Sequence, residues 1–192
     1  MKNTDNTKIR KAMEKTLDSK RYEHTLGVAY TAASLAMRYD ADVNSAITAG
    51  LLHDCAKCLS DDKKKSICEK HNVAITDVER KNPSLLHAKV GSFIAMETYH
   101  IDDIGIINAI LNHTTGRPGM STLEKIIFIA DYIEPGRTHA PNLPLIRKLA
   151  FMDLDKALDK ILEDTLEYLK HSEAEVDQIT QKTYEFYHTA AH

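Results

Sequence analysis

The sequence contains no tryptophan, and only seven glycines and five prolines occur among its 192 residues. So few glycines and prolines leave few places where turns can interrupt long elements, which favours a helical chain. Cysteine is also scarce, and an odd count of three does not make a disulfide framework, so we expect free thiols. The one close pair, Cys55-Ala56-Lys57-Cys58, has no second pair and no thioredoxin-like context, which makes it a weak redox or zinc motif.

Long apolar runs and an excess of basic charge are absent as well. No run of 18 apolar residues occurs, and residues 1–6 lead into a charged amphipathic segment without the apolar region of a signal peptide. We therefore expect a cytoplasmic protein with no membrane partner. The formal net charge of −3 argues against a surface that wraps a nucleic-acid polymer, and small nucleotides fit this charge better.

Apolar residues recur at helical spacing along most of the chain, and no alternation of period two lasts long enough to predict a strand. No linker divides the chain, so residues 1–192 are predicted to form one domain, an all-α helical bundle. The predicted helices cover about 8–17, 21–39 with Ser19 as cap, 43–54 with Asp42 as cap, a segment from 61, 83–99 with Pro83 first, 104–112, 122–133, 153–170 and 175–187. Thr76 and Glu79 form a capping box on a short turn, and a turn is predicted around Pro141 and Pro144.

The dipeptide His53-Asp54 ends one of the apolar helical faces. Ala46, Ala49 and Gly50 stand at i−7, i−4 and i−3 from His53, so the imidazole leaves a face of small residues that lets another helix approach closely. An ionised carboxylate buried there needs a hydrogen-bonding partner or a metal ion.

Equivalent positions recur on five predicted helices. They are occupied by His24, His53, His87, His113, Asp54 and Asp131. One core histidine is commonly a satisfied buried side chain, but six such residues that include two carboxylates indicate a metal site built inside a helical bundle. Imidazole and carboxylate ligands without a thiolate suit Fe, Mn, Co, Ni or Zn as one or two divalent ions, and Fe or Mn fit best.

The order His24, His53-Asp54 and a distant Asp131 resembles the HD superfamily of metal-dependent phosphohydrolases. More narrowly, the chain is similar to the YqeK family over nearly its whole length. The matching motifs are Arg21-x-x-His24, His53-Asp54-x-Ala56-Lys57, Leu86-His87, His113-Thr114-Thr115-Gly116 and the segment 124–137 with its Asp-Tyr-Ile-Glu-Pro block. One departure is visible, because Cys55 occupies a position where an aliphatic residue is expected.

The resemblance implies an HD-type bundle with a metal-binding core over about 20–135 and C-terminal helices over about 142–188. It implies symmetrical hydrolysis of diadenosine tetraphosphate to two ADP, and a homodimer. By the same resemblance, His24, His53, Asp54 and Asp131 hold an iron-like metal. The remaining pair, His87 and His113, ligates a second metal or contacts the substrate phosphates.

Residue chemistry suggests further roles around a polyphosphate. Asp54 is expected to be a catalytic residue and, if two metals are present, to bridge them. Lys57, one turn beyond it, is expected to act in catalysis and to place its ammonium group on the phosphates. Arg137 is a bidentate phosphate ligand in this scheme, and the loop that begins at Thr114 lends hydroxyls and amides. The substrate contacts expected in full are His24, Lys57, His87, His113, Thr114 and Arg137. Arg21 and Arg117 stay open between substrate contact and a surface role.

Three alternatives remain open at the level of sequence. The same metal site could serve another HD phosphohydrolase activity, on a nucleoside mono- or triphosphate or a cyclic dinucleotide. It could bind a nucleotide as a sensor without turning it over. A purely structural helical protein with a buried polar network would hold no metal at all.

Overall fold

Side-chain caps begin most helices of this chain. In each case a short polar side chain accepts a hydrogen bond from a free backbone N–H of the first turn, which is the common way to satisfy a helix start. These capping residues are Asp5, Asp18, Asp42, Ser60, Thr76, Asp103, Ser121 and Asp153. Thr76 with Glu79 and Ser121 with Glu124 form complete capping boxes, as the sequence predicts.

The computed structural model describes residues 5–172 and 175–191, and it is all-α over these ranges, which confirms the predicted fold class. The helices are α1 (Asn6–Thr16), α2 (Ser19–Arg38), α3 (Val43–Leu52), α4 (Asp61–Lys70), α5 (Asp77–Lys81), α6 (Leu86–Glu97), α7 (Ile104–Asn112), α8 (Thr122–Ile133), α9 (Leu143–Ala150), α10 (Leu154–His171) and α11 (Gln178–Ala191). A 3₁₀ turn, Pro83–Leu85, leads into α6.

Three details of the predicted helices are wrong. Asp18 rather than Ser19 caps α2, because the carboxylate oxygen accepts the hydrogen bond from the Arg21 N–H. Pro83 begins the 3₁₀ turn, and α6 begins only at Leu86. The last helix begins at Gln178 rather than near 175.

The turn predicted around Pro141 and Pro144 leads at once into helix α9, which was not predicted from the sequence. Asn142 takes a left-handed conformation with φ of 55° and turns the chain into the helix. Pro144 then lies in the first turn, where the N–H that proline lacks has no helical acceptor to lose.

The main hydrophobic core lies where α2, α3, α7 and α8 pack together, with α1 beside α3 and α10 beside α8. Leu35, Leu52, Ile110 and Ile127 are fully buried in it. Helix α6 packs against α7 and α4 over a smaller apolar cluster, while α9 and α11 pack on α10. The ends of α3 and α7 and the start of α6 thereby meet beside α2 and α8. None of the described helices has the length and apolar character needed to cross a bilayer.

Helices α2 and α3 approach most closely at Gly50. A methyl group built on Gly50 would lie 2.7 Å from the backbone Cα of Ala29 in α2. By contrast, a methyl group on Gly91 in α6 would find its nearest neighbour at 3.5 Å. Only the first of these two helical glycines is therefore required by packing.

We predict that Gly50→Ala lowers the free energy of unfolding by about 1–3 kcal/mol, because α2 and α3 must separate to admit the methyl group. The matched control, Gly91→Ala, should change it by less than about 1 kcal/mol, since alanine has the higher helix propensity and the site has room. Urea denaturation of both variants measures the difference. Equal stability of the two variants would contradict the close approach at Gly50.

Candidate metal centre

Three histidines near helix ends are oriented by the backbone. His53 and His113 lie directly after the last residues of α3 and α7, and His87 is the second residue of α6. In each, Nδ1 lies 2.6–2.7 Å from the carbonyl oxygen three residues earlier, so Nδ1–H donates and the bare Nε2 points away. The acceptors are the carbonyl oxygens of Gly50, Ser84 and Ile110.

His24 is oriented differently, because it lies inside α2, where the carbonyl oxygens already accept helical hydrogen bonds. Its Nδ1 lies 3.1 Å from Oε1 of Glu134, a buried residue that follows α8. The other carboxylate oxygen of Glu134 accepts a hydrogen bond from the Gly136 N–H. Gly27 leaves the space that Glu134 fills, since a methyl group there would lie 2.5 Å from Oε2.

The four Nε2 atoms converge on one carboxylate, that of Asp54. His87 and His113 have Nε2 at 3.3 and 3.7 Å from its Oδ1, while His53 and His24 have Nε2 at 3.6 and 4.0 Å from its Oδ2. Asp131 completes the site on the far side, with Oδ1 at 3.0 Å from Nε2 of His24. The structure thus brings together all six residues that the sequence singled out.

Two overlapping groups within this site place their ligand atoms within 4.8 Å of one another. One consists of His24, His53 and Asp131, and the other of His53, Asp54 and His113. His53 belongs to both groups. Nε2 of His87 adds a nitrogen 3.1 Å from Nε2 of His113, next to the second group.

The hydrogen-bonding pattern tests whether these residues fit a metal ion. Five buried side-chain polar atoms lack a hydrogen-bond partner in the described part of the chain, and three of them, His24 Nε2, His53 Nε2 and Asp54 Oδ1, lie in this site. Each buried atom without a partner costs about 1–3 kcal/mol. A shared cation is the partner that imidazole nitrogens and a carboxylate oxygen can all accept, so the donor set fits a divalent metal.

The protonation states agree with this fit. Burial lowers the pKa of His53 to about 4 and that of His87 to about 3, so both imidazoles are neutral near pH 7 and can donate a lone pair. Contacts with Arg21 and Arg137 favour the ionised forms of Asp54 and Asp131.

Three cationic side chains border the carboxylates. Arg21 Nη1 lies 2.7 Å from Oδ2 of Asp54, and Arg137 Nη2 lies 3.0 Å from Oδ1 of Asp131. Nζ of Lys57 lies 3.4 Å from both ring nitrogens of His87, and burial lowers its pKa. Guanidinium groups are suited to bidentate phosphate binding. The cationic rim formed by Arg21, Arg137 and Lys57 can therefore bind a polyanion.

The loop after α7 supplies one hydroxyl to the site. Thr114 Oγ1 lies 3.2 Å from Nε2 of His87 and 3.1 Å from Nε2 of His113. Arg117 from the same loop is engaged elsewhere. Its Nε and Nη2 each donate to buried Glu124 over 2.7 Å, so its guanidinium fastens the loop to α8.

Two cavities adjoin the six-residue site. One, of about 460 Å³, reaches Thr114 and Thr115 and lies between α5 and the ends of α10 and α11. The other is a groove of about 1210 Å³ that reaches Arg21, His24 and Arg137. Thr165 of α10 lines both.

Sequence reasoning assigned no role to Glu134 or Arg147. Arg147 of α9 donates to the carbonyl oxygens of Ile133, Glu134 and Arg137 over 2.9 Å, which fixes the segment that carries the His24 acceptor. The Asp-Tyr-Ile-Glu-Pro block marked the position of Glu134 without indicating its partner. No signal in the sequence pointed to Arg147.

The cysteines do not form a reactive pair. Cys55 is buried and its Sγ contacts the Gly91 carbonyl oxygen at 3.6 Å, whereas exposed Cys58 contacts Asp18. Burial raises the pKa of Cys55 to about 12, so it stays a thiol. The two thiols of the CxxC segment thus lie in different surroundings, one buried against α6 and one exposed beside Asp18.

Comparison with known proteins places this geometry among related chains. The family model described as HD domain matches residues 21–136. The chain is 38% identical over 172 residues to the protein named symmetrical bis(5'-nucleosyl)-tetraphosphatase from Bacillus subtilis. The aligned region covers 90% of this chain and 91% of that one. A protein of the same name from Staphylococcus aureus is 39% identical over 164 residues, covering 84% of each chain.

A solved structure is also similar. It is described as a predicted HD superfamily hydrolase involved in NAD metabolism, from Clostridium acetobutylicum. The two structures agree with a TM-score of 0.93 at 40% sequence identity, over 97% of this chain and 98% of that one. Agreement over nearly both whole chains extends beyond the matched residues 21–136 to the C-terminal helices.

Glu134→Gln should weaken metal binding. An amide has a single acceptor oxygen, so glutamine cannot accept from both His24 Nδ1–H and the Gly136 N–H, and loss of such a partner of a ligand typically costs 10–100-fold in metal affinity. Competition between the protein and a chelator for Mn²⁺ measures the change.

The matched control is Glu23→Gln, which alters an exposed carboxylate next to His24 in the sequence and should leave Mn²⁺ affinity unchanged. Circular dichroism verifies that both variants fold. Unaltered Mn²⁺ affinity in folded Glu134→Gln would show that Glu134 does not position His24.

Proposed function

The chain belongs to the HD-domain family and, within it, to the group of its symmetrical bis(5'-nucleosyl)-tetraphosphatase relatives, and from this membership we propose that it hydrolyses diadenosine tetraphosphate to two ADP. The observation that carries the proposal is the convergence of four Nε2 atoms on Asp54, beside an arginine and lysine rim. A divalent cation held by these nitrogens and carboxylates, together with Arg21, Arg137 and Lys57, would neutralise the charge of a polyphosphate.

Four residues are proposed to hold the principal metal, namely His24, His53, Asp54 and Asp131. Nitrogen and oxygen donors without thiolate favour iron or manganese, and iron is our choice; Co, Ni and Zn are the other divalent ions this donor set accepts. His87 and His113 are proposed either to bind a second ion, with Asp54 as the bridge, or to contact the substrate phosphates. When bound, the metal would neutralise negative charge on the phosphate oxygens and lower the pKa of a water molecule.

The protein's own side chains then bind and orient the polyphosphate. Arg21 and Arg137 face the same groove beside the two carboxylates, so we propose that each grips phosphate oxygens on one side of the scissile bond. Lys57 and the hydroxyl of Thr114 are placed to contact the phosphates from the side of His87.

In the proposed reaction, water attacks one of the two central phosphorus atoms. The bond from that phosphorus to the oxygen that joins the two central phosphorus atoms breaks. The electrons of that bond leave on ADP, whose terminal phosphate is a weak base and needs little help from an acid. The water protons pass to solvent, so one diadenosine tetraphosphate and one water give two ADP. Lys57 is proposed to stabilise the charge that develops on the leaving phosphate.

We further propose that the protein is cytoplasmic, as expected from its sequence, and that it forms a homodimer, as the family resemblance implies. Light scattering on the eluting protein gives the mass of the assembly, and a mass near 21.6 kDa would identify a monomer instead.

The first experiment incubates the protein as purified, without chelator, with diadenosine tetraphosphate. Ion-exchange chromatography resolves the products, and metal content is measured on the same sample. ADP as sole product with a transition metal bound supports the proposal, and Asp54→Ala should lose both the metal and the turnover. Bound metal without ADP would direct the search to other nucleotides or to a sensor. Neither metal nor turnover would favour a structural protein.

Lys57→Ala should keep the metal and lower kcat/KM for diadenosine tetraphosphate by about 10–100-fold, the usual effect of losing a hydrogen bond to a charged group. Lys63→Ala removes an exposed lysine of the neighbouring helix α4 and should have no effect. Steady-state kinetics with metal analysis of both variants tests this. Loss of metal from Lys57→Ala would mean that Lys57 supports the ligands rather than the substrate.

A further inference from the structure

The groove that adjoins His24 is larger than one phosphate chain requires. It holds about 1210 Å³ and is bounded by the start of α2, the segment 134–141 and helix α10. Its inner end is formed by Arg21, His24 and Arg137, so it opens directly onto the candidate metal centre. Whatever extends outward from a phosphate bound there must lie along this groove.

Aromatic side chains line the outer part of the groove. Tyr30 of α2 and Tyr168 of α10 are 55% and 68% exposed, and Tyr132 also lines the groove. Exposed aromatic faces beside a cationic groove are the surfaces on which nucleic-acid bases stack, and stacking tolerates any base. The groove therefore offers phosphate contacts at its inner end and base contacts at its outer end.

Three acidic residues line the groove, and two of them are engaged by other side chains or by backbone. Asp164 accepts hydrogen bonds from Asn142 over 3.0 Å and pairs with Lys160 at 3.0 Å. Glu134 is engaged by His24 and Gly136, as described above. The third, Glu23, is exposed, and Lys20, Arg21 and Arg137 are basic side chains of the same groove.

The smaller cavity neighbours the groove, because Thr165 lines both. It reaches Thr114, whose hydroxyl contacts His87 and His113, while the groove reaches the arginines, and both meet at Thr165. Leu85 and Leu169 give this cavity an apolar lining, and Lys81, which pairs with Glu175, lies at its edge. A substrate cut in the middle has two equivalent halves, and two cavities reach this centre, one at Thr114 and one at His24.

We propose that the tyrosine-lined groove is the subsite for the second nucleoside of the substrate, with the first nucleoside in the smaller cavity. The inference rests on the proposed function. In this arrangement Tyr30 and Tyr168 stack the base of one half, and Arg21 and Arg137 hold its phosphates. The groove then makes the enzyme prefer dinucleoside polyphosphates to nucleotides that carry one base.

The test compares diadenosine tetraphosphate with adenosine 5'-tetraphosphate, which has the same phosphate chain and one nucleoside. In the Tyr30→Ala/Tyr168→Ala double variant, kcat/KM for the dinucleotide should fall about tenfold or more, while kcat/KM for adenosine tetraphosphate stays within about twofold. The Tyr30→Phe/Tyr168→Phe variant keeps the rings and should retain wild-type values for both substrates.

Met37→Ala is the matched control, because Met37 is 65% exposed on α2 like Tyr30 but is not part of the groove lining. An equal fall for both substrates, or no change for either, would overturn the subsite. Absence of ADP from wild-type protein with diadenosine tetraphosphate would instead refute the proposed function. The two failures are therefore distinguishable in one set of assays.

Discussion

The site depends on one interaction repeated four times, a hydrogen bond from imidazole Nδ1–H to a fixed oxygen. It sets the tautomer of His24, His53, His87 and His113 and turns the lone pair on Nε2 inward. Bare nitrogens in a buried position destabilise a fold unless something binds them. The rest of the bundle supplies the packing that holds them in place.

Helix ends explain how a small protein builds such a site. The last carbonyl groups of a helix have no partner within the helix, and His53 and His113 use two of them immediately after α3 and α7. The same bond therefore satisfies a helix terminus and orients a ligand. Close packing makes this possible, because Gly50 brings α3 against α2, and His24 with it, within reach of the shared carboxylate.

The sequence predicted most of the helices and all six residues of the site. Each of these six lies on an apolar helical face or at its end, and such faces pack together in a bundle, so the sequence indicated that these residues would be buried near one another. The residue that accepts the hydrogen bond from Nδ1 of His24 could not be predicted from the sequence. Glu134 is 110 residues away, and only tertiary structure decides which acceptor serves a histidine inside a helix.

The errors at the level of elements have similar causes. Asp18 and Ser19 are both good capping residues, and the choice between neighbours depends on tenths of a kcal/mol. Two prolines in four residues normally indicate a turn, but α9 places Pro144 in its first turn, and the left-handed Asn142 takes over the change of direction. Packing of α9 against α10 and α8 decided between these readings.

Cys55 follows a candidate metal ligand in the chain, yet its sulfur is held against α6 with the proton attached. The thiolate is the form that peroxides attack and soft metals prefer, so this residue is chemically silent in a centre that could carry a redox-active ion. Cys55 therefore acts as a small apolar side chain, and its contribution to the fold is the volume that it fills between the metal centre and α6.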